Sequence, residues 1–290
     1  MNRNQYRFKQ FALASLIVLG TGLLSGLPAA ADEHSNHARE NSTLFAMGEA
    51  GAVLLGIDVK KGTTTVIGPT GVTPPSLALA ISPDRRTAYT IAQTQDPAHA
   101  HLAKINLATG AETLVGIHPL GQNLFVMGMT FSPDGVLYAA GDFRPASPTF
   151  NSLYTIDLIT GLATRVGSFG VGSAKSAFIM SFAFDPDGNM FGASQVAINK
   201  IDRTTGAATK MVDIVGATRV MGIAFDKKGK LFASDFIPLP LGSTIYSVNL
   251  ETGLFTPLFK TGIAFVHNIE FKPRPGCGNG NRDGVKRCNS

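Results

Sequence analysis

Leu153-Tyr154-Thr155-Ile156-Asp157-Leu158-Ile159-Thr160-Gly161-Leu162-Ala163-Thr164-Arg165-Val166-Gly167 reads as strand, tight turn, strand. The turn recurs along the chain as Asp58…Gly62, Asn106…Gly110, Asp157…Gly161, Asp202…Gly206 and Asn249…Gly253. Each copy places Asp or Asn four residues before Gly. The Asx side chain accepts from backbone N–H groups further on, and Gly takes the positive-φ position that closes the hairpin. Successive glycines lie 48, 51, 45 and 47 residues apart. Regular spacing in this range belongs to propellers, solenoids and arrays, and strands without helical periodicity select the propeller.

A second signature runs out of phase with the first. Short strands at Leu77–Ile81, Met127–Phe131, Met180–Phe184, Met221–Phe225 and His267–Phe271 lead into turns such as Ser132-Pro133-Asp134-Gly135 and Asp185-Pro186-Asp187-Gly188. Together the signatures give four strands per repeat, here A, B, C and D, with the Pro-Asp turn between A and B. Strand A alternates large and small residues, as in Met221, Ile223 and Phe225 against Gly222 and Ala224. Period two is a strand signal, and small residues suit the crowded inner edge of a propeller. The last A strand has no B strand after it, while Leu44-Phe45-Ala46-Met47 is a B strand with no A before it. The expectation is an all-β, five-bladed β-propeller whose ring closes when the N-terminal strand joins the C-terminal blade. A sixth blade is the alternative if one repeat is cryptic. Closure removes exposed sheet edges.

The flanks differ from the repeat. Residues 1–31 read as a signal peptide: Arg3, Arg7 and Lys9, an apolar run from Phe11 to Leu24, then Leu27-Pro28-Ala29-Ala30-Ala31 before Asp32. This makes the protein secreted or periplasmic, with no membrane span once the leader is removed. The leader holds three of the 25 Lys and Arg and none of the 20 Asp and Glu, so the rest carries only +2. No basic stripe for nucleic acid remains. Residues 32–43 form a polar linker, 44–275 the propeller, and 276–290 a short tail. Cys277 and Cys288 in that tail are expected to form one disulfide. The tail also resembles the start of short cysteine-rich repeats, and Asn279, Asn281 and Asp283 echo the opening of a calcium loop that lacks its final Glu.

Strand order puts the short A–B and C–D turns at one end and the long B–C and D–A connections at the other. Functional residues concentrate in long loops on a rigid scaffold. At that face each B strand ends in a polar residue: Glu49, Gln93, Asp142, Gln195 and Asp235. Such a ring either meets water or holds a hard cation such as calcium or another divalent metal. His99 and His101 form a His-x-His element in one of the long loops, and with Glu49 and Asp235 they are the metal-ligand candidates. The last A strand breaks the pattern, with His267 for Met or Leu, Asn268 for a small residue and Glu270 for Ala or Thr. His267 and Glu270 are therefore candidates for acid–base chemistry or metal binding, with a polar network at the ring closure as the other reading. Gly170–Ser176 lacks the P-loop glycines, and no Gly-x-Ser-x-Gly elbow is present.

The repeat, best seen in Leu153–Gly167 and Ser181–Ala193, resembles exported bacterial β-propellers of the NHL, SMP-30/gluconolactonase-like and YncE-like groups, from Leu44 to Phe271. In the lactonase branch a divalent metal sits at the channel on Glu, Asn and Asp. The resemblance offers Glu49, Asn268 and Asp235 as residues of matching type, without that branch's motif around them. Two functions follow: a binding or interaction module for a protein or small molecule on the long-loop face, or a divalent-metal-dependent hydrolase or lyase of the lactonase type.

Overall fold

The computed structural model describes residues 43–71, 77–92, 100–116, 118–121, 124–141, 150–170 and 178–272. Residues 1–42, Gln93, His99, Asp142, Cys277 and Cys288 lie outside the described residues, while Thr43, read as the end of the linker, opens the first strand. Among the described residues no helix is long and apolar enough to cross a membrane.

The chain is a five-bladed β-propeller of four-stranded antiparallel sheets. The first blade uses β1 (Thr43–Gly48), β2 (Val53–Asp58) and β3 (Thr63–Pro69). The second holds β4 (Ala80–Ile81), β5 (Ala88–Ala92), β6 (His101–Ile105) and β7 (Glu112–Leu114). The third holds β8 (Val126–Phe131), β9 (Leu137–Gly141), β10 (Ser152–Ile156) and β11 (Ala163–Ser168). The fourth runs β12 (Ser181–Phe184), β13 (Met190–Ala193), β14 (Ala197–Ile201) and β15 (Ala208–Asp213), and the fifth β16 (Val220–Phe225), β17 (Leu231–Asp235), β18 (Thr244–Val248) and β19 (Phe255–Lys260). The last strand, β20 (His267–Phe271), returns to the first blade and pairs antiparallel with β1, Leu44 opposite Phe271 and Met47 opposite His267. The ring closes as the unpaired strands in the sequence required.

The turn chemistry is realised in every blade. Asp157 Oδ1 accepts from the N–H groups of Ile159 at 3.0 Å and Thr160 at 2.7 Å, and the Gly161 N–H returns to the Asp157 carbonyl at 2.9 Å. These bonds hold the Asp157 carboxyl below its usual range, the Thr160 N–H contributing most. Gly206 at φ 81° shows a second reason for glycine: a Cβ there would meet the Gly167 carbonyl oxygen of the preceding blade at 2.8 Å. The hairpin tip thus also sets the blade-to-blade distance.

Packing follows the same five-fold logic. Each of five buried apolar clusters fills one interface between neighbouring blades. Leu54, Leu79 and Ile81 join blades one and two, and Leu44, Phe232 and Ile245 join five and one. Three further clusters fill the remaining three interfaces. A sixth cluster belongs to no single interface. Phe178, Met180 and Met221 are buried together, with Met127, Phe150 and Phe236 packed against them. Its members come from blades three, four and five.

Candidate functional site

The five A strands converge on the axis, and their residues fall into levels. At one level stand Ala78, Gly128, Ser181, Gly222 and Asn268. Asn268 is 1 % exposed and reaches across the axis. Its Nδ2 donates to the carbonyls of Leu79 at 2.9 Å and Met129 at 3.3 Å, on blades two and three. Its Oδ1 accepts from Ser181 Oγ of blade four at 3.3 Å, and Ser181 Oγ accepts from the Ile223 N–H of blade five at 3.1 Å. One amide thereby ties all five blades, and the axis is closed at this level. The arrangement works because the other four residues are small. A Cβ on Gly128 would meet the Met180 carbonyl at 2.8 Å and Asn268 Oδ1 at 3.3 Å. Asn268 sits at φ 37°, where β20 shifts register against β1 between Ala46 and Met47. Asn tolerates that backbone better than most residues, and the bulge aims its side chain inward.

Glu270 occupies the level toward the short-turn end, with Ala80, Thr130, Ala183 and Ala224 at the equivalent positions. Burial pushes its carboxyl up to about 8, opposed by the Thr130 hydroxyl beside it. It nevertheless keeps some accessible surface.

His267 stands on the long-loop side of Asn268, level with Leu77, Met127, Met180 and Met221. It is 1 % exposed, and neither ring nitrogen has a hydrogen-bond partner. The Leu77 backbone lies beside the imidazole and opposes the effect of burial on it. Burial drives the imidazole down to about 4, so it is neutral at pH 7. Its edge meets Phe236 at 5.7 Å and 84°, which joins it to the Met and Phe cluster. Phe236 also packs on Phe265 at 4.8 Å and under the guanidinium of Arg219 at 5.9 Å, and Phe150 meets Phe178 edge-on at 4.9 Å. Leu77, Met127, Phe150, Phe236 and Phe265 are only half-buried. The long-loop end of the axis, here the mouth, thus carries clustered thioethers and phenyl rings, with a buried imidazole against Phe236.

The other sequence candidates lie elsewhere. Asp235 ends β17 and is 4 % exposed, but its carboxylate accepts from the Thr244 N–H at 2.7 Å and the Tyr246 hydroxyl at 2.8 Å. Burial raises its pKa, and burial together with this bond raises Tyr246 to about 12. Glu49 is exposed at φ 51° in a short 3-10 turn, and Gln195 is half-buried in the tight turn joining β13 to β14. His101 opens β6, half-buried, with its Nδ1 unbonded. Among the described residues no group of three His, Cys, Asp or Glu side chains is gathered for a metal. His267 and Glu270 lie three residues apart, roughly 10 Å along a strand, with the Asn268 bridge between them. Sequence reading missed the mouth cluster. Its signal was Met at the first position of three A strands, legible only as the large half of a large–small alternation. It also missed Glu112 on β7, whose two buried oxygens lack partners and whose carboxyl is pushed up to about 8 by burial.

No protein-family model and no curated protein matches the chain. Solved structures match it in shape. A protein of unknown function from Bacteroides thetaiotaomicron superposes with TM-score 0.53 at 14% identity, covering 80% of this chain and 62% of that one. A chain of a nidogen/laminin complex gives 0.52 at 10%, covering 79% and 97%. A gluconolactonase from Xanthomonas campestris gives 0.47 at 14%, covering 83% and 89%. With identities this low, the two superpositions above 0.5 and the five four-stranded sheets establish the architecture alone: the chain is a β-propeller repeat protein.

Proposed function

We propose that this protein is an exported binding module whose ligand enters on the long-loop face and docks in the Met- and Phe-lined mouth. The observation that carries this reading is the asymmetry about Asn268. On one side the axis is sealed by its amide. On the other, apolar side chains from several blades cluster beside a buried imidazole whose ring nitrogens make no well-formed hydrogen bond. Largely apolar lining with one or two convergent polar groups is the common composition of small-ligand sites. The Asp235 carboxylate, another candidate anchor on that face, is already engaged within its own blade.

The test is a thermal-shift screen of the secreted chain against metal ions and small apolar acids, alcohols and esters. A saturating ligand at a hundred times its Kd adds about 2.7 kcal/mol. A hit whose shift disappears in Phe236→Leu supports the reading. Turnover of a lactone, abolished by Glu270→Gln and untouched by Phe236→Leu, would replace it with the lactonase-type reading. Mass spectrometry of protein from the culture medium or periplasm tests export: the chain should begin at Asp32.

A further inference from the structure

We propose that the mouth is a soft-metal site: Cu(I) held by the thioethers of Met127, Met180 and Met221 and by one imidazole nitrogen of His267. The inference rests on the binding-module reading of the same mouth and names its ligand. Three neighbouring blades each place a methionine at the same level of their A strands, and all three join one cluster. The adjoining strand β20 places His267 at that level, in contact with the cluster through Phe236. Packing accounts for the methionines, which fill irregular gaps well. It does not account for the histidine. The fifth A strand at this level carries Leu77, so an apolar residue is accepted there. An imidazole with both nitrogens buried and unbonded costs on the order of 1–3 kcal/mol, and such groups in native structures call for a partner, commonly a water or an ion.

The donor set selects the partner. Thioether sulfur and neutral imidazole are ligands for Cu(I), whereas calcium and magnesium require oxygen. A single charge also enters an apolar site at far lower desolvation cost than a double one. Phe150, Phe178 and Phe236 close the shell, and aromatic faces add a modest attraction for a cation. Met127 is half-buried, while Met180 and Met221 are 5 % and 7 % exposed.

The experiment is an anaerobic Cu(I) titration of the full chain in competition with bicinchoninate. A Cys277→Ser/Cys288→Ser background removes thiol competition, and Ag(I) followed by methionine-methyl NMR serves as a redox-inert check. The expected result is one Cu(I) per chain. Met180→Leu, Met221→Leu and His267→Leu should each weaken it by about tenfold or more, with melting temperatures retained because the replacements keep the apolar volume. Met211→Leu, at an exposed position of β15, should leave affinity unchanged. No uptake by the parent, or uptake equal in parent and His267→Leu, overturns the proposal. An organic ligand that depends on Phe236 while Ag(I) moves no methyl also overturns it and leaves the binding-module reading standing.

Discussion

Strand β20 and the four other A strands occupy equivalent places around one axis, yet they carry opposite chemistry. The four are Met or Leu, then Gly, Ala or Ser, then an apolar residue, then Ala or Thr. Strand β20 carries His267, Asn268, Ile269 and Glu270. The difference has a structural reason. Five side chains cannot all reach a common axis, so four remain small and one does the bridging. The bridging residue lies on the strand that closes the ring, where chain ends that are distant in sequence must be held together. Asn268 is therefore a lock. Its neighbours on the same strand follow from the same break in symmetry, with His267 toward the apolar mouth and Glu270 beside Thr130 on the other side.

The comparison can be broken at the lock. Asn268→Ala leaves the Leu79 and Met129 carbonyls and the Ser181 hydroxyl without their partner. At about 1–3 kcal/mol for each buried polar group left unpaired, partly relieved by relaxation, the loss should be about 3 kcal/mol or more. Urea unfolding of the two proteins measures it. Gly128→Ala tests the same point from the other side, since its Cβ would press on the Met180 carbonyl and Asn268, and it should cost about 1–3 kcal/mol.

A second test removes the polar residue instead of the lock. His267 has a folded pKa of about 4 against an ordinary 6.5. The unfolded chain thus binds the proton more readily, and stability should fall as pH drops through the window from 6.5 to 4. The full span is worth about 3 kcal/mol at 1.36 kcal/mol per unit. His267→Leu should abolish this fall and raise stability at pH 5, read from melting temperature against pH.

Glu270 works with the opposite sign. Its folded pKa of about 8 exceeds the ordinary 4.5, so the folded state keeps a proton that the unfolded chain releases. Its contribution falls as pH rises from 4.5 to 8. Glu112, also at about 8, slopes the same way. Glu270→Gln should therefore flatten part of the alkaline decline, and Glu270→Gln/Glu112→Gln more of it. The smallest expected effect lies at the rim. Tyr246→Phe removes one hydrogen bond to Asp235 and should cost about 1 kcal/mol, without touching ligand affinity at the mouth.

Much of the fold was legible because its determinants are local. An Asx side chain reaches two or three residues, so the five hairpins can be read off the chain, and their spacing counts the blades. Ring closure followed from one strand left over at each end. The site was less legible because its contacts are distant. Asn268 bonds to residues 87, 139 and 189 positions away, which no spacing reveals. The sequence marked the anomaly at His267, Asn268 and Glu270 but could not separate the bridge from the mouth and from the level of Glu270. Asp235 looked like a rim ligand, and only the register of β17 against β18 shows that its carboxylate turns to Thr244 and Tyr246. The methionines hid within an ordinary strand alternation.

The most direct measurement is a methionine-methyl NMR titration of the Cys277→Ser/Cys288→Ser chain with Ag(I). The account predicts that Met127, Met180 and Met221 move together and saturate at one equivalent, while Met129, whose carbonyl lies on the Asn268 bridge, and Met190 stay in place. Absence of any shift, or shifts spread over methionines outside the mouth, would contradict it.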